Sequence, residues 1–274
     1  MSEEQGRSLP TCGYTTNVLD MGTGKTIVLL HGSGPGVSAW ANWRGVAPSL
    51  ASDFRVIMPD LVGFGYTDEP PGFHFQFMDS WVQQLQALLP QLTTEPVILV
   101  GNSFGGAVAL AYTIANPDKV ERLVLMGSIG TNVTLSEGLD QAWGYTPSID
   151  NMRAILDVMA WNRHLVTDEL AELRYKASVR TGVQRRFECL FPAPRQRWLD
   201  AAAQTDEALG TIQHPTLLLH GRDDRVIPLS ASQRLHRLIP NSQLHSFGQC
   251  GHWTQIEQAQ RFIKLVSQFA RGDL

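Results

Sequence analysis

At 274 residues, with 43% hydrophobic and 18% charged residues, the chain is long enough for one sizeable core carrying an insertion. A formal net charge of −4 with no basic block offers nothing to attract a phosphate backbone, so nucleic acid is not expected as a partner. No apolar run reaches the roughly 18 residues of a membrane span, and the polar Met1–Pro10 start lacks the apolar stretch of a secretory signal, so the expectation is a cytoplasmic protein with no membrane partner.

The first strong strand is Thr26–Leu30, which runs into His31, Gly32, Ser33, Gly34, Pro35 and Gly36. A glycine-rich loop directly after a buried strand brings backbone N–H groups close to negative charge. It only partly resembles a dinucleotide fingerprint, because Val37 stands where the third glycine is needed. Upstream, Gly24-Lys25-Thr26 imitates the end of a phosphate-binding loop, but Leu19 replaces its first glycine and the segment precedes a strand instead of following one. A second strand is expected at Arg55–Pro59, ending in the tight loop Asp60–Gly65. Residues Asp79–Leu92 place Trp81, Val82, Leu85, Leu88, Leu89 and Leu92 on one helical face, with Asp79 or Ser80 available as N-cap.

Val97–Val100 forms the next apolar run, followed by Gly101-Asn102-Ser103-Phe104-Gly105, Gly106 and an alanine-rich helix to about Ala115. Strand, sharp turn and helix with Ser103 at the apex is a nucleophile elbow. Gly101, Gly105 and Gly106 suit the close strand–helix approach that such a turn needs. The competing reading of Ser103 is an ordinary helix-capping serine. A strand at Arg122–Met126 follows. From about Leu135 to Asp206 strand-like runs disappear, and helical stretches such as Asn151–Trp161 and Thr167–Val179 replace them. Strand and helix alternate again at Pro215–His220, Ser230–Leu238, Gln243–Phe247 and a last helix from about Thr254 to Phe269. The pattern predicts an α/β fold: a mostly parallel sheet flanked by helices with an inserted helical lid, divided as core 1–134, lid 135–206 and core 207–274. Strand ends place His31, Asp60, Ser103 and Gly127 at the carboxyl edge, where an α/β active site belongs.

A serine nucleophile needs a histidine base held by a carboxylate. The order Ser103, Asp224, His252 is that of α/β-hydrolases, with both partners in loops after strands; Asp223 is the rival acid. Backbone N–H groups of Ser33 and Phe104 are the candidate oxyanion hole. The three cysteines, Cys12, Cys189 and Cys250, are odd in number and lack metal-ligand spacing, so neither disulfide nor zinc is expected and no cofactor or metal is called for.

His31-Gly-Ser-Gly-Pro-Gly36, Gly101-Asn-Ser-Phe-Gly105, Trp143-Gly-Tyr-Thr-Pro-Ser148, Arg195-Gln-Arg-Trp198 and Cys250-Gly-His-Trp-Thr-Gln-Ile-Glu257 together resemble the meta-cleavage product hydrolases. The likeness spans nearly the whole chain and is nearest the branch acting on 2-hydroxymuconate semialdehyde and alkylbenzene ring-cleavage products. It implies hydrolysis of a carbon–carbon bond in a small-molecule dienoic keto acid, by a homo-oligomer without cofactor. The spacing Gly221, Asp224, Pro228 resembles the family pattern and favours Asp224 over Asp223. The resemblance further implies polar substrate contacts from Asn42 and Asn102, a carboxylate contact from Arg174 with Arg180 as runner-up, and Trp253 lining the same end. Each has a structural alternative: a loop amide, an elbow support, a solvated helix arginine and a core tryptophan. Cys250 reads as packing. The alternative activity is a general serine carboxylesterase; a dehalogenase or epoxide hydrolase would want a carboxylate at the elbow.

Overall fold

The computed structural model describes residues 4–68 and 75–274. Eight strands form one sheet: β1 (Arg7–Thr11), β2 (Tyr14–Met21), β3 (Thr26–Leu30), β4 (Arg55–Pro59), β5 (Val97–Asn102), β6 (Val120–Met126), β7 (Thr216–Gly221) and β8 (Ser242–Phe247). Their order is β1-β2-β4-β3-β5-β6-β7-β8; β2 is antiparallel to β1 and β4, and every pairing from β4 to β8 is parallel. Parallel strands covered on both faces must be apolar at consecutive positions. Accordingly Val28, Leu30, Leu99, Leu123 and Leu125 enter the core on one face, while Ile27, Leu29, Ile98, Val100, Val124 and Met126 enter that on the other.

Between β6 and β7 the described chain is helical, including Glu137–Trp143, Ile149–Met159, Asp168–Ser178 and Val183–Leu190. Ser136, Ser148 and Thr167 cap the first three of these helices with side-chain oxygens. The cap expected from Asp79 or Ser80 is not formed. Met78 occupies the N-cap position without a side-chain bond, and Asp79 sits in the first turn, where its charge suits the helix dipole. That helix stops at Leu88 and tightens into a turn at Leu89–Gln91, because Pro90 has no N–H to continue the ladder. The expected last helix is two, Thr254–Glu257 and Ala259–Arg271, separated at Gln258. The β1–β2 hairpin is an element that the apolar runs do not announce.

Candidate active site

Ser103 follows β5 and precedes the helix Phe104–Ala115. Its φ of 53° and ψ of −115° place it in a strained conformation that a non-glycine residue rarely adopts. It holds the N-cap position but makes no side-chain capping bond, which sets aside the ordinary capping role. The glycines around it are required by contact: a Cβ on Gly101 would lie 2.5 Å from the Gly105 carbonyl oxygen, and one on Gly105 would lie 2.5 Å from that of His31. Strand, helix and the β3 loop therefore close tightly around the serine.

Asp224 and His252 come from the loops after β7 and β8. His252 Nδ1 lies 2.7 Å from Asp224 Oδ2. A carboxylate can only accept, so Nδ1 carries a proton, and in the neutral ring Nε2 is the nitrogen that keeps its lone pair. The other carboxylate oxygen accepts the Val226 and Ile227 amides at 2.7 and 2.9 Å. Burial alone would raise the Asp224 carboxyl; the His252 charge and the bonds from His220 and His252 outweigh it and hold the group well below the ordinary carboxylate range. Asp223 instead faces Arg222 and the Gln249 amide, away from His252. The structure thus separates the two acids.

Ser103, His252, Asn42, Asn102, Arg174, Trp253 and Ser33 all line one cavity of about 280 Å³. Its apolar lining includes Leu139, Met152, Ile155 and Leu156 from the helical excursion and Val226 from the core. Gly32 runs close to the elbow: a Cβ there would lie 3.3 Å from Ser103 Cβ. Phe104 opens the helix, so its N–H has no partner within it. Arg174 donates to the Pro35 carbonyl at 3.2 Å and makes no salt bridge among the described residues. Burial, opposed by the charge of Glu4 and reinforced by those of Arg44 and Arg180, pushes its pKa down to about 10, so it remains a cation at neutral pH. Arg180 lies over the Tyr66 ring at 4.1 Å and does not line the cavity.

Residues 25–259 match the alpha/beta hydrolase fold family. The chain is 56% identical over 273 residues to 2-hydroxy-6-oxo-2,4-heptadienoate hydrolase of Pseudomonas putida, covering 100% of this chain and 99% of that one. It is 52% identical over 268 residues to 2-hydroxymuconate semialdehyde hydrolase of Pseudomonas sp. strain CF600, covering 98% and 94%. A solved serine-to-alanine variant of the meta-cleavage product hydrolase CumD from Pseudomonas fluorescens IP01, complexed with acetates, superposes with a TM-score of 0.97 at 51% identity over 99% of both chains. The chain belongs to the meta-cleavage product hydrolases of the α/β-hydrolase fold.

In this hydrolase the excursion between β6 and β7 is bonded directly to the site loops. Trp143 stacks on Phe191, with ring centroids 4.3 Å apart, and its Nε1–H donates to Ser33 Oγ at 2.8 Å, bracing the β3 loop. The His252 amide donates to the Met159 carbonyl at 2.8 Å. Glu257 accepts the amides of Gly251, Trp161 and Asn162, tying the histidine loop to the end of the helix Ile149–Met159. These contacts give two of the sequence motifs, around Trp143 and Glu257, a mechanical purpose. Sequence reasoning missed three polar neighbours. Arg44 and Gln255 line the cavity, and His220 lies behind Asp224, its Nε2 2.9 Å from the Ile227 carbonyl and 3.4 Å from Asp224 Oδ2. Gln255 lies in a quoted motif, only three residues after the histidine, yet its type alone carries no signal.

Proposed function

We propose that the chain hydrolyses the carbon–carbon bond beside the 6-oxo group of 2-hydroxy-6-oxohexa-2,4-dienoates bearing hydrogen or methyl at that carbon. One water is consumed, and the products are a 2-hydroxypenta-2,4-dienoate and formate or acetate. The observation that carries this reading is Arg174, a half-buried cation that makes no salt bridge among the described residues and lines the same cavity as Ser103 and His252. An ordinary esterase has no need of such a group. The small acyl group follows the relatives named for the methyl and hydrogen substrates, at 56% and 52% identity, over a phenyl-substrate hydrolase of Burkholderia cepacia at 33%.

In this reading Arg174, Asn42, Asn102 and Trp253 receive the dienoate end, and residues 135–206 serve as the lid over the acyl end. The dienol must first take up a proton on carbon so that the departing fragment has an electron sink; His252 moves that proton. It then acts at the 6-oxo carbon, accepting the proton of Ser103 or of a water as that oxygen attacks. The developing oxyanion receives the N–H groups of Ser33 and Phe104, one such donor being worth ~10²–10³ in rate in serine hydrolases. The carbon–carbon bond breaks with its electron pair passing into the dienol fragment, and a covalent acyl group on Ser103, where formed, is released by water. The family resemblance supports a cytoplasmic homo-oligomer; among the described residues no helix is long and apolar enough to cross a membrane.

The test is the decay of yellow dienolate absorbance with freshly made ring-cleavage products of catechol, 3-methylcatechol, 3-isopropylcatechol and 2,3-dihydroxybiphenyl, with p-nitrophenyl acetate as control. The first two should decay fastest. Brisk ester cleavage without dienolate decay would return the protein to the general carboxylesterases.

A further inference from the structure

His220 is the penultimate residue of β7 and is fully buried, with both ring nitrogens against polar atoms. Nδ1 lies 2.7 Å from the hydroxyl of Ser232, itself fully buried on the helix Leu229–Leu238. Nε2 lies 2.9 Å from the Ile227 carbonyl and 3.4 Å from Asp224 Oδ2. A carbonyl and a carboxylate only accept, so Nε2 carries a proton, and the Ser232 hydroxyl serves Nδ1 as donor or acceptor. In their neutral forms His220 and His252 are therefore opposite tautomers, yet both present an N–H to the same carboxylate oxygen. Ile227 closes the arrangement, its amide donating to Asp224 Oδ1 and its carbonyl accepting from His220.

A buried carboxylate that receives fewer donors is less firmly oriented and attracts an imidazolium more strongly. We infer that His220 is a positioning residue: its Nε2–H aims Asp224 Oδ2 at His252 Nδ1 and takes up part of the charge on that oxygen, so that His252 can release the proton it has accepted. This rests on the roles proposed above for Ser103, Asp224 and His252, and holds for any substrate on which they act. Burial would lift the Asp224 carboxyl; the His252 charge and next the bond from His220 hold it down. Other groups near the pair do not substitute. Gly127 at the end of β6 and the Met159 carbonyl of the helical excursion meet His252 without a charge. The Cys250 thiol, pushed up to about 12 chiefly by burial, stays neutral. Asp223 is taken up by Arg222 and the Gln249 amide, and Glu257 by the amides of Gly251, Trp161 and Asn162. A histidine that only joined helix to strand would be served by Ser232 and Ile227; the contact with the charge that orients the base sets this one apart. Whether the His220 ring is neutral or charged, losing its Nε2–H favours protonated His252 and moves the acid limb of kcat/KM to higher pH.

The experiment compares wild type with His220→Leu, which removes the donor, His220→Gln, which puts an amide N–H where Nε2 stood, and Ser232→Ala, which loosens the ring without touching Nε2. kcat/KM is followed from about pH 5 to about pH 9 on p-nitrophenyl acetate, a substrate that does not titrate, and plateau kcat on the ring-cleavage product of 3-methylcatechol. His220→Leu should move the acid limb up by about half a pH unit or more and lower plateau kcat about fivefold or more. His220→Gln should recover most of both, and Ser232→Ala should lower the melting temperature with the limb unmoved. A folded His220→Leu protein with the wild-type limb, a His220→Gln protein no better than His220→Leu, or a Ser232→Ala limb displaced as far, overturns the inference. Nitrogen NMR of wild-type enzyme carrying labelled histidine tests it without a variant: Nε2 of His220 should hold a proton, and an unprotonated Nε2 there overturns it. Wild-type enzyme that cleaves the ester but not the dienol acid would overturn the functional reading, and the ester profile would then decide this inference alone.

Discussion

Replacing Asp224 with asparagine probes the histidine tautomer on which the proposed chemistry depends. The Val226 and Ile227 amides at 2.7 and 2.9 Å can be satisfied only by an oxygen, so in Asp224→Asn the side-chain carbonyl would stay there. The new NH2 group would then face His252 and His220, where the native carboxylate accepts. His252 Nδ1 can meet a donor only by giving up its proton, which moves to Nε2, the atom required to accept from Ser103. Such an inversion in a serine-protease triad lowers kcat about 10⁴-fold, equivalent to about 5 kcal/mol at ~1.36 kcal/mol per factor of ten. Dienolate decay under saturating substrate measures it, with a thermal melt to show that the variant is folded. Asp223→Asn, one residue away and bonded to Arg222 and the Gln249 amide, should stay within about threefold of wild type. A loss below tenfold in a folded Asp224→Asn protein, or an equal loss at position 223, would refute the reasoning.

Arg174→Ala should raise KM for the dienol acid by roughly 10–100-fold, the value of a hydrogen bond to a charged group, and change p-nitrophenyl acetate hydrolysis by less than about threefold. Parallel losses on the two substrates would make it a structural arginine. His31 supplies a pH test. It is fully buried, with Nδ1 bonded to the Gly32 carbonyl and Nε2 accepting the Leu61 amide, and desolvation pushes its pKa down from 6.5 to about 4. The unfolded chain therefore binds this proton first as pH falls. The contribution of His31 to stability is complete above pH 6.5 and declines by about 3 kcal/mol on going down to pH 4. Urea titrations of wild type and His31→Gln across that range should converge by up to that amount at the acid end, and parallel curves would disprove the assignment.

The legible parts of the fold were those written in uninterrupted apolar strands. Val97–Asn102 and Thr216–Gly221 are buried at every position, so composition alone marks them. The β1–β2 hairpin escaped because its strands are polar or half-exposed and its turn is Cys12-Gly13, both at positive φ, without the asparagine or aspartate that commonly announces such turns. In the site, Ser103, Asp224 and His252 were readable as chain order plus turn context, and Arg174 through family resemblance. His220 was not, since its significance lies in a partner shared with His252, a property of three-dimensional surroundings and not of residue type.

The position of the helical excursion has a consequence for how the substrate range of such an enzyme changes. β6 and β7 are already paired neighbours, Leu123 opposite Thr216 and Met126 opposite Leu219, so the ends of the excursion are held together by the sheet whatever lies between them. Lengthening a flexible connection between fixed ends costs only ~0.6 kcal/mol per doubling. The excursion supplies much of the apolar wall, whereas Ser103, Asp224 and His252 all lie outside it. Insertions and deletions in this segment that keep Trp143, Met159 and Trp161 in place therefore reshape the apolar wall without altering strand register or the braces on the Ser33 and His252 loops.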